Sequence, residues 1–147
     1  MDSEFSHTLT GGRADFPALL DALESHLTTA GAPQAALSAV MIATDELVSN
    51  VLDHGGAKAV SVTATLAEGL VTVQIEDDGE PFDPLAAPEP DTEAAIDDRE
   101  IGGLGVHLVR RMMDETAYAR VGGRNRFRFS KHFDAASASL PSDDESS

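Results

Sequence analysis

Three short segments bring together side chains that can do chemistry. The first, Asp45-Glu46-Leu-Val-Ser-Asn50-Val-Leu-Asp53-His54-Gly55, sets a carboxylate and a carboxamide four residues apart and ends in glycine. A carboxylate can take a proton and a carboxamide oxygen can ligate a hard cation. The second, Asp77-Asp-Gly79-Glu-Pro81, sets a carboxylate beside a glycine, and the third is Gly102-Gly-Leu104-Gly105. Glycines ahead of a helix let a phosphate approach free backbone N–H groups at the positive end of the helix dipole. Together the segments point to a nucleotide site.

Elements of defined type must hold these groups. At about 100° per residue, Leu37, Val40, Met41, Thr44, Leu47, Val48 and Val51 form one core-facing stripe. Glu46, Asn50 and Asp53 fall roughly opposite, because residues three and four apart share a helix face. Ile42 is the exception on the polar side. Pro33 opens this helix and Gly55-Gly56 closes it. An earlier helix is capped by Asp15, tolerates Pro17 in its first turn, buries Phe16, Leu19, Leu20, Leu23 and Leu27, and stops at Gly31. Phe5, His7 and Leu9 alternate as a short strand.

Val60, Val62, Ala64 and Leu66 alternate, Glu68-Gly69 turns, and Val71, Val73 and Ile75 alternate again. Continuing that parity places Asp77 on the buried face, where a carboxylate needs a donor. The other reading is that the strand ends at Ile75 and Asp77 merely opens a turn. Residues 80–101 hold four of the seven prolines and eight acids against Arg99, a composition expected of a mobile lid. Val106, Leu108, Val109, Met112 and Met113 give a helix. Ala117, Ala119 and Val121, the turn Gly122-Gly123, and Asn125, Phe127 and Phe129 give a second hairpin. The Arg126/Arg128 alternation reads as the solvent side of a strand or as a partner-binding edge. Residues 134–147 are Ala, Ser and acid without period, an expected disordered tail.

Paired strands interrupted by helices indicate one α+β domain, a two-layer sandwich of a mixed, largely antiparallel sheet with helices on one face. The absence of G-x-x-x-x-G-K-[ST] rules out a P-loop enzyme. A formal charge of −16 opposes nucleic acid or anionic membrane as partner, although eight of the ten Lys and Arg lie from Arg99 onward. The sequence shows neither a signal-peptide pattern nor an apolar run near the ~20 residues of a membrane span. With no Cys, thiolate metal sites and disulfides are excluded, and a cytoplasmic protein is expected.

Glu46-x-x-x-Asn50, Asp77-x-Gly79-x-Pro81 and Gly103-x-Gly105 resemble the N, G1 and G2 boxes of the ATPase superfamily shared by gyrase, Hsp90, histidine kinases and mismatch-repair ATPases. Over residues 5–133 the chain is most similar to the stand-alone anti-sigma-factor serine/threonine kinases. The resemblance implies a Bergerat-type ATP-binding fold over residues 1–133, with the lid at about 80–101. It implies ATP and Mg²⁺, with Asn50 as the metal ligand and Glu46 as general base on the attacking hydroxyl. Asp77 would accept from the adenine amino group, with Gly79 and Pro81 shaping the turn. Gly103, Leu104 and Gly105 would meet the phosphates.

The implied partners are a small antagonist protein as phospho-acceptor, a sigma factor, and a second copy in a homodimer. The alternatives are a nucleotide-gated binding module with little phosphotransfer, and a fragment acting on a partner's histidine. His54 is expected to satisfy the last helix carbonyls, His107 to be structural, and Asp53 to be solvated.

Overall fold

The computed structural model describes residues 3–54, 56–81 and 109–133. The element order is β1 (Ser3–Leu9), a 3₁₀ turn (Gly12–Asp15), α1 (Phe16–Ala30), α2 (Gln34–His54), β2 (Val60–Ala67), β3 (Leu70–Asp77), β4 (Glu115–Val121) and β5 (Arg124–His132). The strands form one sheet in the order β1-β2-β3-β5-β4. Every pairing among the described residues is antiparallel, so the parallel component implied by a mixed sheet is not seen. Both hairpins close through two-residue turns with positive φ at both positions, Glu68-Gly69 and Gly122-Gly123. Such turns match the right-handed twist of the strands they join.

Antiparallel register carries one side-chain parity across the whole sheet. Val62 lies opposite Ile75, Ile75 opposite Phe127, and Phe127 opposite Tyr118. A second row runs Ala64, Val73, Phe129. Those apolar positions are the buried face, and the leucines of α1 (Leu19, Leu23, Leu27) and the stripe of α2 complete the core. Each such side chain contributes about 1.5–3 kcal/mol by leaving water, which fixes the parity of all five strands together. The opposite face carries Ser61, Thr63, Gln74, Glu76, Arg126 and Arg128.

Helix ends follow the sequence with one correction. Gly31 stops α1 in the left-handed region at φ 102°, and the N–H groups of Gly31 and Ala32 bond back to Thr28 and Leu27. Asp15 does precede α1, but its side chain makes no cap bond. Its backbone is already right-handed helical, because the 3₁₀ turn runs directly into the helix, so the extended geometry that aims a capping oxygen is lost. Pro33 supplies the carbonyl that takes the first bond of α2, from Leu37 N–H at 2.9 Å.

One sequence reading needs correcting: α2 is, by length and composition alone, long and apolar enough to cross a membrane (mean hydropathy 1.4 over Gln34–Asp53). That content goes into the core here, with Leu37, Val40, Ala43, Leu47 and Val48 buried. Ile42, off the stripe, is 53% exposed, as its helical phase requires. Thr44 is fully buried and its hydroxyl has no hydrogen-bond partner. A desolvated, unpaired hydroxyl costs about 1–3 kcal/mol. Thr44→Val is therefore expected to stabilise the fold by about 1 kcal/mol, read as a higher urea midpoint at unchanged slope.

Candidate functional site

The buried parity of β3 runs Val71, Val73, Ile75 and ends on Asp77, which is 4% exposed. Asp77 therefore belongs to the strand's buried face and is paired in register with Val60 and Asn125. Its Oδ1 accepts from the Gly79 N–H at 2.8 Å and from Asn125 Nδ2 at 3.0 Å. The bond to the N–H two residues on is a local Asp turn, which ends the strand and swings the backbone away. Oδ2 takes no hydrogen bond from any described residue and is left as an acceptor at the rim of the core.

The turn after Asp77 is held from two sides. Asn125 Nδ2 also donates to the Glu80 carbonyl at 2.7 Å, and the Tyr118 hydroxyl donates to Asn125 Oδ1. Arg120 donates to the Gly79 carbonyl at 2.9 Å. On the β2 side, Asp78 Oδ1 accepts from the N–H groups of Lys58 (2.8 Å) and Ala59 (3.1 Å). Those bonds, Ala59 first, hold the Asp78 carboxyl below the usual carboxylate range. Gly79 is buried between these anchors, and Pro81 is exposed beyond them. The result is a fixed turn with one carboxylate oxygen presented from a preorganised frame.

The polar face of α2 supplies the second group, and α2 packs over β3 and β5. Glu46 and Asn50 are half-buried on it. Burial, then the nearby Asp45 and Asp53 carboxylates, raises the pKa of Glu46 above the ordinary glutamate value. A carboxylate made more basic and free of hydrogen bonds among the described residues is suited to accepting a proton. Asp53 is exposed, as expected of a solvated residue, but it is not without a partner. It is bound by Arg13, whose Nη2 lies 2.7 Å and Nε 3.2 Å from Asp53 Oδ1, and the Arg13 guanidinium lies 5.8 Å from the Phe16 ring centroid. The partner comes from the 3₁₀ turn, forty residues earlier in the chain, a distance at which sequence spacing carries no signal.

Asp77, Gly79, Asn125, Tyr118 and Arg120 thus form one bonded cluster, while Glu46 and Asn50 sit on the helix above the sheet. Asn125, Tyr118 and Arg120 were absent from the sequence-derived site. The available signal was Asn125 itself, a polar residue heading the alternation Asn125, Phe127, Phe129 on the buried face. Gly103, Leu104 and Gly105, His107, most of the lid and the tail lie outside the described residues, as does the side chain of His54. Only the end of the third helix is described, residues 109–112, with Val109 fully buried.

Residues 13–131 match the histidine kinase-like ATPase domain. The chain belongs to this family. It is 30% identical over 95 residues to the serine/threonine-protein kinase BtrW of Bordetella bronchiseptica, covering 62% of this chain and 67% of that one. In fold it is similar to the crystal structure of the RsbU and RsbW domains of Rv1364c from Mycobacterium tuberculosis. That superposition has a TM-score of 0.61 at 18% identity and covers 88% of this chain but 32% of that longer one.

The matches support an ATPase domain of the anti-sigma-factor kinase type, the family whose boxes the sequence resembles. Membership in this ATPase family implies ATP binding, and the α+β architecture agrees with that of the RsbW domain. In this ATPase domain the matched span includes both Asp77 with its clamp and the polar face of α2.

Proposed function

We propose that the protein is an ATP-dependent protein serine/threonine kinase of regulatory type, working in the cytoplasm. It phosphorylates a small antagonist protein and holds a sigma factor by a contact that the phosphorylation state switches. The single observation that carries the nucleotide assignment is the clamped, buried Asp77 with Oδ2 left as an acceptor. An adenine amino group is the donor that such an oxygen fits. The relative named as a serine/threonine kinase supports the direction of the chemistry.

The residues divide the work between binding and transfer. Asp77 orients the base, and Gly79 lets the backbone come close to it. In the transfer step the acceptor hydroxyl oxygen forms a bond to the γ-phosphorus and the bond to the β,γ-bridging oxygen breaks. ADP leaves with the electron pair, and Glu46 takes the hydroxyl proton. The raised pKa of Glu46 favours that role. Asn50, half-buried on the same helix face, offers a hard amide oxygen suited to Mg²⁺. When bound, Mg²⁺ neutralises phosphate charge. No group of three or more His, Asp or Glu among the described residues is arranged to hold a metal alone, so the ion's remaining oxygens would come from phosphate and water.

Calorimetry with ATP, with and without Mg²⁺, tests this reading. Wild type is expected to bind, and Asn50→Ala to lose the Mg²⁺-dependent part of the affinity, about tenfold or more. Phosphate transferred to an acceptor protein should survive acid, as phosphoserine and phosphothreonine do and phosphohistidine does not. Absence of binding at about 1 mM ATP, a Kd worth only about 4 kcal/mol, sinks the kinase reading.

A further inference from the structure

The sheet face turned away from α1 and α2 carries charge that the nucleotide site does not use. Arg124, Arg126 and Arg128 occupy alternate positions on β5, so their side chains leave one face at the roughly 7 Å repeat of every second strand residue. Toward β3, Arg126 pairs with Glu76 at 2.8 Å and Arg124 acts on Asp78. Arg128 lies opposite Gln74 and makes no ion pair among the described residues.

Toward β4 the cross-strand neighbours of Arg126 and Arg128 are Ala119 and Ala117, both exposed. Their methyl groups leave the guanidinium groups uncovered on that side. β4 is the last strand of the sheet there, so its outer backbone groups have no strand partner among the described residues. A hollow of about 550 Å³ opens beside Arg128, over Thr72, Ser130 and Glu115.

We propose that the β4 edge takes an extended acidic segment of a partner protein by strand addition, with Asp or Glu at every second position. An added strand would lie ~4.8 Å beyond β4, with its same-face side chains in line with Ala117 and Ala119. Arginine stems on β5 can cross one strand when only a methyl group stands between. The pitch of the carboxylates then equals the pitch of the guanidinium groups, because both are set by the strand repeat. The formal charge of −16 selects against a long polyanion such as nucleic acid, which feels the whole surface, and leaves a short acidic segment governed by the local cations. A second copy on this edge would set arginine ladder beside arginine ladder. The proposal does not rest on kinase activity.

The test uses the full chain and a fluorescein-labelled octapeptide of alternating Glu and Val, followed by anisotropy at about 50 mM and about 300 mM NaCl. Saturable binding that weakens with salt is expected. Arg128→Glu and, separately, Ala119→Glu should each weaken it about tenfold or more. A matched Lys-Val octapeptide should not bind, and Asp77→Asn should leave the peptide affinity unchanged while ATP binding weakens by a factor of about 100 or more. Lack of saturable binding by wild type overturns the proposal, as does Arg128→Glu binding within about twofold of wild type. So does a thymidine oligonucleotide binding as tightly as the acidic peptide, which would make the ladder a nucleic-acid site. Conversion of a dimer to a monomer by Ala119→Glu, seen by light scattering, would assign the edge to a second copy and equally overturn it.

Discussion

Asp77→Asn should weaken ATP binding by a factor of about 100 or more while leaving the fold intact. The substitution keeps an acceptor oxygen where the Gly79 N–H and Asn125 Nδ2 donate to Oδ1. What changes is the other atom, which becomes an NH₂ group aimed where a donor of the base must come. Donor then faces donor in a site that is 4% exposed. A lost charge-assisted bond of about 1.5–3 kcal/mol combines with an unpaired buried donor of about 1–3 kcal/mol, which sets the expected factor. Calorimetry gives the affinity, and a urea midpoint close to wild type shows that the clamp survived. An Asn variant that binds ATP within about threefold of wild type would mean that Asp77 serves only to end β3.

Glu46→Gln should separate transfer from binding and reveal its own charge in the stability curve. Loss of the general base is expected to slow phosphotransfer about 10²–10⁴-fold with ATP affinity little changed. The stability effect has the opposite sign. The folded-state pKa of Glu46 is raised, chiefly by burial and then by Asp45 and Asp53, so the folded protein holds the proton more tightly than the unfolded chain. The favourable contribution of the neutral form is complete below the unfolded value near 4.5 and is lost as pH rises through the folded pKa. At pH 7 the charged side chain thus disfavours the fold, and Gln removes that cost. The variant should melt higher than wild type at neutral pH, with the gap closing as pH falls below the ordinary glutamate range. Equal melting at all pH values would show that Glu46 is not held among the carboxylates as described. A variant that still transfers phosphate at the wild-type rate would move the base to another residue.

The acid-amide helix is legible in the sequence for a simpler reason than its electrostatics. Its core stripe and polar face depend only on the helical period, so Glu46 and Asn50 were placed together by spacing alone. Even the exception, Ile42, was visible as a phase error, and it is exposed in the structure. The alternation in β2, β3 and β5 and the Glu68-Gly69 and Gly122-Gly123 turns were equally local, because two-residue positive-φ turns and period-two burial leave direct marks in sequence.

The residues alone therefore carry the main helices and strands, their buried faces, the family resemblance through three boxes, and the candidate pair on α2. Two readings of Asp77 stood level on residue pattern alone, a buried acceptor or the opening of a turn. Tertiary structure showed both to hold: Asp77 is the last buried residue of β3, and its own carboxylate makes the turn by binding Gly79 N–H. Only the tertiary structure could supply its partner, because β3 lies against β5 and brings Asn125 beside it from 48 residues away. The same pairing recruits Tyr118 and Arg120 to the site from β4, and chain folding at the opposite end closes Arg13 onto Asp53. Local periodicity fixes which way a side chain points; strand order and register, decided by the burial of the whole core at once, fix what it meets.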